Sequence, residues 1–196
     1  MNKPAFDLVI VGVGGQGTLL ASKILGRLAM DASCGVKVSE VHGMSQRGGS
    51  VITHVRVGDA VHAPLVSLGG ADYLLSFEAL EAARAAAYLK PTGVAIVNTQ
   101  RISPMPVITG AVAYPAQPLA TDVIAGHRVE ALDALAPAVQ AGSQKAVNLV
   151  LLGVLSRHLP FDDEAWKHAI AACVPRHTLS VNVQAFEAGR AYQPQV

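Results

Sequence analysis

Cysteine is scarce: Cys34 and Cys173 are the only two in 196 residues. An iron–sulfur cluster normally takes four thiolates, so this chain has too few to ligate one by itself. With no secretion signal in view, both are expected to be free thiols in a reducing compartment. The seven histidines show neither H-x-H nor H-E-x-x-H spacing, and no metal site is expected. Charge is sparse and nearly balanced, 15% charged residues with a net charge of +1. That argues against a nucleic-acid-binding or anionic-membrane surface. No apolar run approaches the roughly 20 residues needed to span a bilayer. Met1 to Ala5 lead directly towards the first strand, with no room for a signal peptide, so a cytoplasmic location is expected. Aromatics make up only 5% while 51% of residues are hydrophobic. The core must therefore be aliphatic, and the length suits one domain over residues 1–196. Paired carboxylates and nucleophile–base patterns are also missing, and no catalytic residue is assigned to this chain.

What the chain does have is concentrated near its start. Leu8-Val9-Ile10-Val11 is a continuous apolar run of the kind buried on both faces of a sheet. It enters Gly12-Val13-Gly14-Gly15-Gln16-Gly17 and then an apolar helical pattern through Leu19, Leu20, Ile24, Leu25 and Leu28. A strand turning through glycines into a helix presents unpaired N–H groups to an anion. Gly12, Gly14 and Gly17 fit G-x-G-x-x-G. A tight turn needs glycine even where nothing binds, and Gly15 and Gln16 lie outside the dinucleotide fingerprint. Glu40, at the end of the second expected strand, stands where a nicotinamide enzyme places its ribose-binding acid.

The second loop reads Glu40-Val41-His42-Gly43-Met44-Ser45-Gln46-Arg47-Gly48-Gly49-Ser50. With GVGGQG it resembles the gamma subunit or gamma domain of the 2-oxoacid:ferredoxin oxidoreductases. The closest likeness is to the beta subunits of the indolepyruvate type, whose segments read G-x-G-G-Q-G and E-V-H-G-M-S-Q-R-G-G-S-V. The likeness extends through Asn148 to Gly153 and to Asn182 with Ala185-Phe186-Glu187-Ala188-Gly189. It implies a holoenzyme that decarboxylates a 2-oxoacid such as an aryl-pyruvate on thiamine diphosphate. Electrons pass through iron–sulfur clusters to ferredoxin, and an acyl-CoA is released. Gly58-Asp59-Ala60 is the nearest approach to the Gly-Asp-Gly motif of thiamine enzymes. Thiamine and clusters therefore belong on a large (alpha) partner subunit, and this chain is expected to be inactive alone. It would complete the assembly and help to hold coenzyme A. Alone, its apolar surface is expected to self-associate.

Periodicity predicts strands over residues 7–11, 36–41, 51–57, 71–77, 94–97 and 127–132. Helices are expected over 16–30, 78–89, 118–126, 143–158, 164–173 and 176–192, with Asp162-Asp163-Glu164 as an acidic start signal. Thr121 or Asp122 caps the third of these. Gly58-Asp59 is read as the turn of an inserted hairpin, with Ala60-Val61-His62 returning beside Val51 to Val57. The proline-rich stretch 98–118 is an irregular excursion with at most an edge strand. The class is α/β: a doubly wound, mostly parallel, Rossmann-like sheet with an inserted hairpin and a helical C-terminal part. Both glycine loops follow strands expected to be neighbours, so both open onto the carboxyl-end crevice.

The cofactor-binding candidates are Gly12, Gly14, Gly15, Gln16, Gly17, His42, Arg47, Gly48 and Gly49. Arg47 is suited to a bidentate contact with phosphate or carboxylate; pairing with Glu40 or Glu78 is its structural alternative. His42 and His54 are possible phosphate partners, set against ordinary hydrogen-bonded roles. Lys145 and Asn148 are further anion contacts, set against capping and solvated-face roles. Three functional readings stay open: the oxidoreductase subunit, a stand-alone NAD- or FAD-binding enzyme with Glu40 on the ribose, and a scaffold whose crevice binds nothing.

Overall fold

The computed structural model describes residues 3–43, 48–120, 124 and 126–193. Six strands form one sheet, β1 (Phe6–Val13), β2 (Gly35–His42), β3 (Ser50–Gly58), β4 (Ala71–Ser76), β5 (Leu89–Asn98) and β6 (Arg128–Leu132). Their order across the sheet is β2-β3-β1-β4-β5-β6. β1, β4, β5 and β6 run parallel, while β3 is antiparallel to both of its neighbours. The α/β class and the inserted hairpin are as expected, but the hairpin is differently composed. β3 turns back beside β2 (Val38 opposite Val55, His42 opposite Val51). Residues 60–62 form no strand. Alternation identifies Val51 to Val57 as a strand but carries no information about its partner. The glycine-rich loop is itself the hairpin connection, and β3 fills the gap between β1 and β2, which are therefore not neighbours.

Helices cover both faces. On one face lie α1 (Thr18–Asp31), α5 (Val147–Ser156), α6 (Asp163–Cys173) and α7 (Leu179–Ala191). They pack over Leu8, Ile10, Val55, Leu75 and Ile96. α1 buries Ala21, Ile24, Leu25 and Leu28, whereas Leu19, expected on the same apolar stripe, is 64% exposed. The other face is thinner. Its layer gathers Val9, Val11, Leu74, Ala95 and Val97 against Ala82 and Ala85 of α2 (Ala79–Ala85). His54 lies on that side, 4% exposed, with Nδ1 accepting the Val66 N–H at 3.3 Å. It is a core histidine and has no access to a phosphate.

Local chemistry sets the helix bounds. Asp162 caps α6, its Oδ1 accepting the Ala165 N–H at 2.8 Å. Glu78 is the cap of α2 rather than its first turn, and accepts the Glu81 N–H at 2.9 Å. Its other oxygen takes the Ile102 N–H at 3.0 Å and the Tyr114 hydroxyl at 2.5 Å, which ties down the proline-rich excursion. Burial and that carboxylate push the Tyr114 phenol far above its ordinary value. The excursion contains the single turn α3 (Met105–Ile108) and no strand. Of the expected helix over 118–126, Pro118–Ala120 form a 3-10 turn; the expected caps Thr121 and Asp122 lie outside the described residues. α4 (Leu135–Gln140) precedes α5.

α5 and α7 approach at backbone distance. A Cβ on Gly189 would overlap the Val150 carbonyl, and one on Gly153 would overlap the carbonyl of Phe186. Both positions lie in the stretches that carry the family resemblance. Among the described residues, no helix is long and apolar enough to cross a membrane.

Candidate functional site

β1 delivers its loop to the carboxyl end of the parallel strands, and the β2–β3 hairpin brings the second loop to the same place. The Gly14 N–H donates to the Gly49 carbonyl at 2.8 Å, and Gly48 returns a bond to the Gly14 carbonyl at 3.4 Å. The loops therefore converge as expected, although β3 separates their parent strands.

Within the first loop the residues divide by role. Gly12 is a packing position: a Cβ there would press on Phe77 Cβ and Gln16 Oε1 at 3.0 Å. The Gln16 side chain serves the fold. Its Oε1 accepts the Val13 N–H at 2.7 Å, and its Nε2 donates to the Phe77 carbonyl at 3.0 Å and to Gln100 Oε1 at 3.2 Å. Gly15 is different, with φ of 103° and nothing within 4 Å of a Cβ position, so its backbone faces open space. Gly17 is the N-cap of α1 in the left-handed region at φ 91°, which favours glycine. It supplies no capping side chain, and α1 has no acid in its first turn. The helix start thus keeps free N–H groups and the positive end of its dipole.

Two open clefts flank this start. The first, about 410 Å³, is lined by Gly14, Gly15, Gly17, Thr18, Leu19, Glu40, His42 and Val51. Glu40 accepts from the Thr53 hydroxyl at 3.3 Å. His42 is exposed, with Nδ1 3.2 Å from the Gly43 carbonyl. The second cleft, about 430 Å³, lies on the other side of Gly15 and Gly17 and includes Gln16, Gln100, Gln144 and Lys145. Asn148 sits beneath Gly17, its Nδ2 2.7 Å from where a Cβ would stand. Gly12 and Gln16 therefore support the turn, whereas Gly14, Gly15, Gly17 and His42 border the first cleft. Gly48 and Gly49 brace the loop, and Arg47 lies outside the described residues. Gln100 was not anticipated; its one signal is a polar side chain just past the carboxyl end of a buried strand. No group of three or more metal-ligating side chains is present among the described residues.

A second polar cluster, also absent from the sequence reading, lies at the far edge. Buried Glu130 on β6 takes Arg157 at 2.5 Å and Arg128 at 2.9 Å, and His158 Nε2 lies 3.1 Å away without hydrogen-bond geometry. Arg157 also donates to the Tyr192 carbonyl. The cluster fastens the C-terminal helices to the last strand.

Comparison with known proteins bears on the family and the fold. A protein from Thermococcus kodakarensis described as indolepyruvate oxidoreductase subunit IorB is 42% identical over 189 residues, covering 94% of each chain. Its counterpart from Archaeoglobus fulgidus, with the same description, is 40% identical over 191 residues, 93% of this chain and 92% of the relative. Among solved structures, the gamma subunit of a keto/oxoacid ferredoxin oxidoreductase from Geobacter sulfurreducens has a similar fold. It superposes with a TM-score of 0.68 at 23% identity, covering 94% of this chain and 95% of that one. The model of the pyruvate ferredoxin/flavodoxin oxidoreductase family matches residues 7–192, and with these relatives it shows that the chain belongs to that family.

Proposed function

We propose that this chain is the small subunit of an indolepyruvate-type 2-oxoacid:ferredoxin oxidoreductase. The complex would convert an aryl-pyruvate or related 2-oxoacid, coenzyme A and oxidised ferredoxin into acyl-CoA, carbon dioxide and reduced ferredoxin. The observation that carries this reading is likeness over nearly the whole length of both chains to proteins described as indolepyruvate oxidoreductase subunits. Thiamine diphosphate and iron–sulfur clusters are assigned to the large partner subunit, consistent with only two cysteines here. This chain completes the assembly and offers coenzyme A the bonded glycine loops, with backbone donors at Gly15 and Gly17. Arg47 supplies a charged donor for another of its anionic groups.

The test is to purify the chain alone and co-expressed with its large partner, then measure oxoacid- and CoA-dependent acceptor reduction. Activity is expected only in the complex, with aryl-pyruvates preferred; turnover by the isolated chain would refute the assignment. In the complex, Arg47→Ala should raise the KM for CoA roughly ten- to a hundredfold with oxoacid decarboxylation retained. An unchanged KM with lost assembly would make Arg47 structural. A stand-alone nucleotide-binding oxidoreductase draws support from Glu40, whose carboxylate borders the same cleft as Gly14 and Gly17. Micromolar NAD binding abolished by Glu40→Ala, or a bound flavin spectrum, would favour it.

A further inference from the structure

The proline-rich excursion after β5 is tightly ordered, yet it adds nothing to the interior. Every backbone N–H from Val107 to Val112 donates within the segment, to the carbonyls of Pro104, Met105, Pro106 or Val107 at 2.9 to 3.2 Å. One carboxylate oxygen of buried Glu78 closes its base, accepting from the Ile102 N–H at one end and the Tyr114 hydroxyl at the other. Arg101 adds a second clasp. Its guanidinium lies 5.0 Å from the Tyr114 ring centre and donates to the carbonyls of Pro115 and Ala116. The result is a fixed knob. Among the described residues, no side chain from Ile102 to Ala116 joins either core layer. Ordering a segment costs conformational entropy, and burial within this chain does not offset it.

The knob's surface is apolar and uncharged. Met105, Ile108 and Val112 are 65%, 66% and 57% exposed, and Ile102 to Thr121 contain no charged residue. Clustered apolar exposure of this kind marks an interaction surface. Its root at Glu78 lies just past the carboxyl ends of β4 and β5, the sheet edge that also carries the glycine turn. Chemistry then selects the occupant. A partner exchanged at every turnover, such as a soluble electron carrier, is steered chiefly by charge, which the knob lacks. Uncharged apolar surface suits a permanent interface. A second copy joined knob to knob would turn both glycine-turn edges towards each other and close the crevice. The large subunit fits both conditions, because coenzyme A offered at this edge must reach the thiamine that subunit holds.

We infer that the knob from Ile102 to Ala116 is a docking surface for the large partner subunit, with Met105, Ile108 and Val112 buried on assembly. This rests on the proposed reading of the chain as a small subunit, and it specifies the surface through which that subunit is held.

Ile108→Glu combined with Val112→Glu puts two charges on the knob. Both side chains are exposed, so the isolated double variant should keep the circular dichroism and thermal midpoint of the unaltered chain. Its dissociation constant for the large subunit, measured by biolayer interferometry, is expected to rise at least a hundredfold. Unchanged affinity overturns the docking surface and leaves the subunit assignment standing. No affinity of the unaltered chain for the large subunit removes both. Reduced self-association of the isolated chain with unchanged affinity for the large subunit makes the knob a contact between copies, and also overturns the inference. Ile108→Cys supplies a measurement independent of how the double variant folds. A maleimide should label it in the isolated chain, beyond the background from half-buried Cys173, and should be excluded in the complex. Equal labelling in both states refutes burial of the knob.

Discussion

β1 is buried along almost its whole length, as are Leu74–Ser76 of β4 and Gly93–Asn98 of β5, whereas β2 leaves Lys37, Val38, Glu40, Val41 and His42 exposed. The parallel strands lie between two helical layers, which is why they read as unbroken apolar runs. The antiparallel pair has helical cover chiefly from α1 and ends in an open edge. One half of the sheet thus holds the fold together, and the other shapes the crevice where α1 begins. Substitutions in the first should register mainly as stability, and those in the second as binding and association.

The largest effect is expected at Gly189. Valine there would drive a side chain into the Val150 carbonyl and separate α5 from α7. A loss above about 4 kcal/mol is expected, visible as insoluble protein or a collapsed urea midpoint. A Gly189→Val chain of normal stability would show that the two helices do not meet as described. At the seam between the halves, Gln16→Ala strands the Val13 N–H, now bonded at 2.7 Å. The cost should be about 1–3 kcal/mol. An unchanged denaturation midpoint would mean that the glutamine is free to serve a ligand.

On β3 the expected effect is a pH slope. Burial holds the His54 pKa below its ordinary value, and its Nδ1 must stay unprotonated to accept from Val66. For a base depressed in the folded state, the stability is fully present above the unfolded value near 6.5. It is lost as the pH falls below that and through the folded value, because the unfolded chain binds the proton first. His54→Gln, which keeps an acceptor, should lose less stability between pH 7 and pH 5 than the unaltered chain. Equal losses would place the acid sensitivity elsewhere. The smallest effect on stability belongs to the open edge. Val38 is 44% exposed and Val41 51%, and Val38→Lys should shift stability by no more than about 0.5 kcal/mol. It should nevertheless reduce self-association of the isolated chain in sedimentation. If association persists unchanged, another surface is responsible.

The covered half was the more legible in the sequence, because its signals are local. Leu8 to Val11, the glycines after them and the helical spacing through Ile24, Leu25 and Leu28 all agree on one strand–turn–helix unit. Asp162 announced its helix through a side chain three residues from the N–H it accepts. What stayed hidden depends on contacts distant in sequence. Nothing in Val51 to Val57 indicates that its partners are β1 and β2. Glu130 meets Arg157 and His158 across 27 and 28 residues, with no motif joining them. Within the site, the glycines could be named, but their division into packing and open positions could not. Gly12 and Gly15 look alike as letters, yet one touches Phe77 and the other touches nothing.

The glycine contact between α5 and α7 also bears on how the chain is made. The layer that seals β1 is built from α1, near the start, and from α5 to α7, near the end. A ribosome therefore releases the sheet long before Gly189 can lock against Val150, and during that interval the apolar face bounded by Leu8, Ile10 and Leu75 lacks part of its cover. Such late, non-local closure slows folding and exposes the nascent chain to aggregation. Chaperone demand during synthesis should accordingly be high, and a stalled chain ending before α7 should be a far better chaperone client than the finished protein.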